Sequence, residues 1–185
     1  MALGNRVALV TGAARGIGRK VALTLAEKGY RVAANDLAPP EGTLRELRNT
    51  GAAALSLPGD VSDEGAVRGM AEAVMGEFGR IDVLVNNAGV SLITPAEETA
   101  IADWRRVLEV NLTGPFLMSR EFGKEMLRHG SGSIVNIGSV AGLLGIADRA
   151  AYNASKHALI GLTRTLAAEW GGRGVRVNAV CPGWV

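Results

Sequence analysis

The sequence predicts an α/β protein built on a parallel sheet, and three features carry that expectation. A short apolar run, Arg6 to Val10, passes into a glycine-rich loop at 11–18 and then into a helical pattern reaching about Lys28. Further apolar runs of strand length recur down the chain, separated by stretches of helical periodicity, as strands joined by helical crossovers require. Toward the end of the chain, Tyr152 and Lys156 stand four residues apart on one such helix. Residues so spaced share a helix face, so the phenol and the ammonium point into one space.

Composition bounds the remaining possibilities. A chain of 185 residues suffices for one domain with a proper core and is short for two, so 1–185 reads as a single unit. With 48% hydrophobic and 21% charged residues, it reads as neither disordered nor membrane-spanning. Twenty basic against 18 acidic residues leave a net charge of +2 with no basic run, which argues against nucleic acid or an anionic membrane as partner. The lone Cys181 allows no internal disulfide and reads as a small buried hydrophobe at a strand end. Met1 to Arg6 show no signal-peptide core, and no apolar run approaches 18 residues. A cytoplasmic protein is expected.

The elements follow in order. After the first strand, the loop Thr11-Gly12-Ala13-Ala14-Arg15-Gly16-Ile17-Gly18 opens a helix whose first N–H groups have no helical partner, and its missing side chains would let a pyrophosphate approach closely. Gly16 and Gly18 also read as simple turn residues. The second strand, Arg31 to Asn35, leads into Asp36, eighteen residues after Gly18, where a carboxylate would accept hydrogen bonds from a ribose and repel a 2′-phosphate. That favours NAD over NADP, although Arg15 could partly neutralise such a phosphate. A helix over about 43–49 and a strand over Ala53 to Leu57 close on Gly59-Asp60-Val61. Asp60 could bond an adenine amino group or cap the next helix, a task for which Ser62 and Asp63 compete.

A helix to Phe78 and a fourth strand, Ile81 to Val85, end in Asn86-Asn87-Ala88-Gly89. Two amides and two small residues suit packing against a flat ligand; a turn using the left-handed tolerance of asparagine is the other reading. Helical periodicity from Thr99 to about Arg128 is interrupted at 111–115, where Pro115 cannot donate to the Asn111 carbonyl. That carbonyl is expected to hold a water leading from Lys156 to solvent; a plain helix bend that fits the curvature of the sheet is the other reading. The run from Ser133 to Ser139 reads as a fifth strand ending in a hydroxyl, and Gly174 to Val180 as a sixth, followed by Cys181-Pro182-Gly183. The Tyr152 helix, running to Trp170, looks apolar over nearly its whole circumference, which predicts one face on the sheet and another on a second subunit. His129 and His157 read as surface or interface residues.

The chemistry centres on Ser139, Tyr152 and Lys156. A cation beside a phenol favours the phenolate and draws its pKa toward working pH, so Tyr152 becomes usable as a general acid or base on an alcohol or carbonyl oxygen.

Taken together, T-G-x-x-x-G-x-G at 11–18, Asp36, N-N-A-G at 86–89, Asn111, Ser139, Y-x-x-x-K at 152–156 and Pro182-Gly183 make the chain resemble the short-chain dehydrogenase/reductase family from Arg6 onward. The resemblance implies a Rossmann-type doubly wound sheet of order 3-2-1-4-5-6 and a homo-oligomer, dimer or tetramer. It further implies an oxidoreductase that interconverts secondary alcohols and ketones, or a 3-oxoacyl-type carbonyl, with NAD or NADP. In this scheme Tyr152 is the acid/base, Lys156 lowers its pKa and holds the nicotinamide ribose, Ser139 holds the substrate oxygen and Asn111 anchors a relay water. Gly12, Arg15, Gly16, Ile17 and Gly18 line the pyrophosphate loop, and Asp36 takes the adenosine ribose. Asp60, Val61, Asn87, Ala88 and Gly89 surround the adenine and the cofactor's middle, and Pro182, Gly183 and the Val185 backbone meet the nicotinamide. No metal is implied. Family members continue past P-G into a seventh strand and a substrate lid, so a catalytically impaired cofactor-binding or pairing module is the alternative expectation. The loops at Val90 to Pro95 and Ala141 to Asp148 carry mainly small and apolar residues, which suggests a modestly apolar carbonyl substrate.

Overall fold

The computed structural model describes residues 5–183. Strands β1 (Val7–Val10), β2 (Arg31–Asp36), β3 (Ala54–Pro58), β4 (Val83–Asn86), β5 (Gly132–Ile137) and β6 (Val175–Val180) are joined by helices α1 (Gly16–Glu27), α2 (Glu41–Asn49), α3 (Glu64–Phe78), α4 (Ile101–Leu108), α5 (Gly114–His129) and α6 (Ala150–Trp170). All the strand pairings are parallel, in the order β3-β2-β1-β4-β5-β6. The chain starts in the middle, winds outward to β3, then returns to place β4 on the other side of β1. That reversal leaves a crevice beyond the carboxyl ends of β1 and β4, because the crossovers leave those two ends in opposite directions.

Sequence alternation in β1 explains the two-sided core. Leu9 packs with Val67, Val74, Phe122, Met126, Leu166 and Trp170 under α3, α5 and α6. Val10 packs on the opposite face with Ala22, Leu44 and Leu47 of α1 and α2. Successive strand residues face opposite sides, so a central strand covered on both sides must be apolar throughout. Each fully buried Leu or Phe contributes about 1.5–3 kcal/mol relative to exposure, and these layers hold the strand ends that carry the site.

Several boundaries differ from the sequence reading. The fourth strand starts at Val83 rather than Ile81, because the Asp82 carboxylate accepts the Val7 N–H at 2.8 Å and a two-pronged bond from Arg80. The fifth ends at Ile137, two residues short of Ser139: Gly138 N–H turns to the Val180 carbonyl at 2.7 Å, and Ser139 caps a single 3-10 turn at Val140–Gly142. The long helix begins at Ile101 and divides in a π turn at Glu109–Thr113, closed by the Gly114 N–H reaching five residues back to the Glu109 carbonyl. The extra residue in that turn spreads the interruption over more chain than Pro115 alone would require. On α6, His157, Ala158, Gly161, Arg164, Thr165 and Ala168 are exposed, so the outer stripe is small and polar rather than a second broad apolar face.

Candidate active site

At the crevice, the loop after β1 opens α1 with no side-chain cap and no acid in the first turn. The first N–H groups of α1, at Gly16, Ile17 and Gly18, therefore meet no capping side chain, which suits the approach of an anion. Gly18 is buried, and a Cβ there would lie 2.2 Å from the Gly12 carbonyl oxygen and 2.4 Å from Asn87 Nδ2. Only glycine lets α1 start this close to the sheet. Asn87 completes the contact by donating from Nδ2 to the Thr11 and Gly12 carbonyls at 2.9 and 3.1 Å. Thr11 Oγ1 in turn accepts the N–H groups of Asn87 and Ala88 at 3.0 and 2.9 Å. Asn87 is thus a brace between the two strand ends. Among the described residues the one non-glycine at positive φ is Asp148, so the left-handed turn reading of the asparagines is set aside.

Two cavities occupy the crevice. The first, of ≈ 280 Å³, is lined by Gly12, Arg15, Asp36, Asp60, Val61, Asn87, Ala88 and Gly89, together with Leu37, Arg106 and Val110. Asp36 is fixed at its edge: Oδ2 accepts the Ala14 N–H and Oδ1 its neighbour Leu37 N–H, both at 2.9 Å. Asp60 is not the helix cap; Asp63 is, accepting the Ala66 N–H at 2.7 Å. Asp60 instead accepts the Ser62 N–H and hydroxyl. Burial pushes its carboxyl up, but those two bonds and the Arg106 charge together hold it below the usual carboxylate range.

The second cavity, of ≈ 210 Å³, is lined by Ile17, Ser139, Tyr152, Lys156, Pro182 and Gly183 and shares Asn87, Gly89 and Val90 with the first. Lys156 is 5% exposed, and its Nζ lies 5.6 Å from the Tyr152 ring centre. Nζ donates to the Ile137 carbonyl at 2.7 Å, which leaves two of its three N–H groups for other partners. Burial lowers the Lys156 pKa from 10.5 to about 8, with Cys181 pulling weakly the other way, so the side chain is still a cation at neutral pH. Ser139 Oγ accepts the Ala141 N–H at 3.1 Å, an arrangement that leaves the hydroxyl hydrogen free to donate into the cavity.

Asn111, expected to act through its carbonyl, is fully buried and spends its side chain on structure. Oδ1 accepts the Val90 N–H at 2.8 Å, and Nδ2 donates to the Val90 carbonyl at 2.9 Å and to Ser155 Oγ at 3.1 Å. The π turn is thereby stitched to the loop after β4 and to α6, beside Gly89, where an added Cβ would sit 3.2 Å from Asn111 Oδ1. Gly16, Gly18 and Asn111 support the cavities without lining them, and Val185 lies outside the described residues. Sequence reasoning named Thr11 only as the start of the glycine motif and Ser91 only within the Val90 to Pro95 loop, and it missed Leu37, Arg106, Val110 and Ser155. Of these, Ser155 carried a signal, since its position three residues after Tyr152 puts its hydroxyl on the Tyr152 carbonyl, at 2.7 Å.

The residues present fit a dinucleotide. An uncapped helix start flanks the first cavity, Leu37, 64% exposed, offers an apolar surface at one end, and a buried cation with free N–H groups stands at the other. Among the described residues no cluster of side chains suits a metal ion, and no helix is long and apolar enough to cross a membrane.

Comparison with known proteins agrees with this geometry. The family model described as short chain dehydrogenase matches residues 6–185. A D-threitol dehydrogenase of Mycolicibacterium smegmatis is 48% identical over 97% of this chain and 70% of its own length. A 3-oxoacyl-[acyl-carrier-protein] reductase of Synechocystis is 42% identical over 100% of this chain and 76% of its own. Among solved structures, NAD+-bound xylitol dehydrogenase superposes with a TM-score of 0.96 at 38% identity, over 100% of this chain and 72% of that one. A structure from Beutenbergia cavernae with NADP bound at low occupancy superposes with a TM-score of 0.93 at 45% identity, over 99% of this chain and 74% of that one.

Proposed function

The chain belongs to the short-chain dehydrogenase family, and from that premise we propose that it interconverts a secondary alcohol and a ketone with NAD, Tyr152 serving as the acid/base. The observation that carries the reading is the meeting of Tyr152, Lys156 and Ser139 in a cavity that shares a wall with the glycine-loop crevice. Bound NAD or NADH would exchange a hydride with the carbonyl carbon. The Ser139 hydroxyl donates to the substrate oxygen and orients it. In reduction, Tyr152 passes its phenolic proton to that oxygen; in oxidation, the phenolate takes the proton back. The Lys156 ammonium favours the phenolate, while its remaining N–H groups hold the cofactor's nicotinamide ribose. Pro115 brings no N–H to the Asn111 carbonyl, and a water held there would return the proton to solvent.

The preference for NAD rests on Asp36, whose pinned carboxylate stands at the cavity edge and repels a 2′-phosphate. Arg15 and Arg106, which line the same cavity, oppose that preference and limit its size. Both alcohols and oxoacyl carbonyls are substrates of relatives, and the polyols named for two of them make hydroxylated substrates the first to try.

The test is oxidation and reduction over a panel of polyols, simple alcohols and ketones with each cofactor, followed by Tyr152→Phe. The substituted protein is expected to lose about 100- to 10,000-fold in turnover while binding NADH within about two-fold of the parent. Turnover retained on every accepted substrate would remove Tyr152 from the acid/base role.

A further inference from the structure

The two segments beside the reaction cavity are tied to each other by contacts that the chemistry above does not use. The segment following β4 supplies Ser91, Ile93 and Thr94; the segment preceding α6 supplies Leu143, Leu144, Asp148 and Arg149. Thr94 N–H donates to the Asp148 carbonyl at 2.8 Å, and Thr94 pairs with Arg149 in an isolated parallel bridge. Arg149 Nη1 donates to Ser91 Oγ at 3.2 Å, and Ser91 lines the reaction cavity with Ser139 and Tyr152. On its other side the Asp148 segment is held to the first turn of α6. There Asn153 Nδ2 donates to the Ile146 carbonyl, and Asn153 N–H to the Arg149 carbonyl, both at 2.7 Å.

Asp148 is the hinge of this arrangement. Its φ of 58° lies in the left-handed region, where no other described non-glycine residue is found. Aspartate tolerates that region better than most residues, yet it remains costly without support. Its carboxylate makes no hydrogen bond among the described residues, so the support comes from the Thr94 bond to its carbonyl and from the Arg149 bridge. A strained residue kept in place by surrounding contacts next to a reaction cavity points to a positioning task.

We propose that Asp148 is a positioning residue: its left-handed backbone presents the carbonyl that clasps Thr94, and this clasp sets the spacing of the two walls between which the substrate enters. Substrate affinity then depends on the clasp, while cofactor affinity, set at the glycine loop and Asp36, does not. The exposed Ile93, Leu143 and Leu144, at 65%, 57% and 64%, ride on the clasped segments as apolar lips, so loosening the clasp lowers affinity for the whole substrate panel together. The proposal rests on the dehydrogenase reading for its link to substrate and on geometry alone for the clasp.

Two variants separate these levels. Asp148→Gly keeps the left-handed backbone without strain; Asp148→Val, β-branched, cannot hold it. Amide hydrogen exchange at Thr94, NADH affinity by titration and steady-state kinetics on the panel are read for each. Asp148→Gly is expected to match the parent in all three. Asp148→Val is expected to speed Thr94 exchange at least about 10-fold and to raise KM at least about 10-fold, with kcat within about 3-fold and the NADH Kd within about 2-fold. Unchanged Thr94 exchange in Asp148→Val, or an NADH affinity that falls in step with KM, would overturn the clasp. If the parent turns over no alcohol or ketone, the dehydrogenase reading fails, and the exchange and NADH measurements still decide the clasp.

Discussion

The glycine-loop cavity and the reaction cavity share Asn87, Gly89 and Val90, yet they are made differently. The first is shaped by main chain: an uncapped helix start, close-packed Gly12 and Gly18, and a carboxylate held by two backbone N–H groups. The second is shaped by side chains: Ser139, Tyr152 and a buried Lys156, whose helix is braced through Ser155 and Asn111 to the loop after β4. A wall of main chain tolerates no added atoms and carries little buried charge. A wall of side chains stores a desolvated cation and is less stable for it. The two regions should therefore answer substitution in opposite directions.

The largest effect is expected on the main-chain side. Gly18→Val places atoms where the Gly12 carbonyl and Asn87 already stand, which forces α1 off the sheet. A loss of about 4 kcal/mol or more in unfolding free energy, in the range that marks a severe clash, together with loss of NADH binding, would appear in a denaturant titration with and without the cofactor. A stable, cofactor-binding Gly18→Val protein would break the comparison.

The smaller effect has the opposite sign. Lys156 is protonated in both folded and unfolded chains below about pH 8, so the full penalty of burying its charge is present there. Between about 8 and 10.5 the unfolded chain binds more protons than the folded one, stability rises with pH, and above that window the penalty is gone. The gap between the two values is worth on the order of 3 kcal/mol, and a variant that leaves the Ile137 carbonyl without its donor forfeits about 1 kcal/mol of that gain. Lys156→Met should accordingly stabilise the cofactor-free protein by about 2 kcal/mol at pH 7, an advantage that fades as pH rises through that window, while abolishing turnover. A Lys156→Met protein less stable than the parent at pH 7 would mean that the ammonium is held by more than the geometry shows.

What the sequence made legible follows the same division. Gly12, Gly16 and Gly18 signalled a backbone constraint through their spacing directly after an apolar run, and the recurring apolar runs between helical stretches signalled the parallel sheet, so both were legible. The pair Tyr152 and Lys156 was legible because helix spacing alone puts them on one face. The brace at Asn111 was half legible: Pro115 announced the interruption, but the π turn and the side-chain bonds to Val90 depend on α4, α5 and α6 meeting in space. Asp148 gave no signal at all, since nothing in its neighbours' identities says that its backbone is left-handed. On α6 the sequence pattern overstated how broad the apolar surface is, because the alanines and glycine of the outer stripe, Ala158, Gly161 and Ala168, count as apolar although they alternate with His157, Arg164 and Thr165.

The most direct measurement is a crystal structure of the protein grown with NADH. One dinucleotide is expected to span both cavities, its adenine end beside Leu37, Asp60 and Val61, its pyrophosphate at the start of α1, and its nicotinamide end against Tyr152, Lys156 and Pro182. A nucleotide bound away from this crevice, or one with its nicotinamide end remote from Tyr152, would contradict that placement.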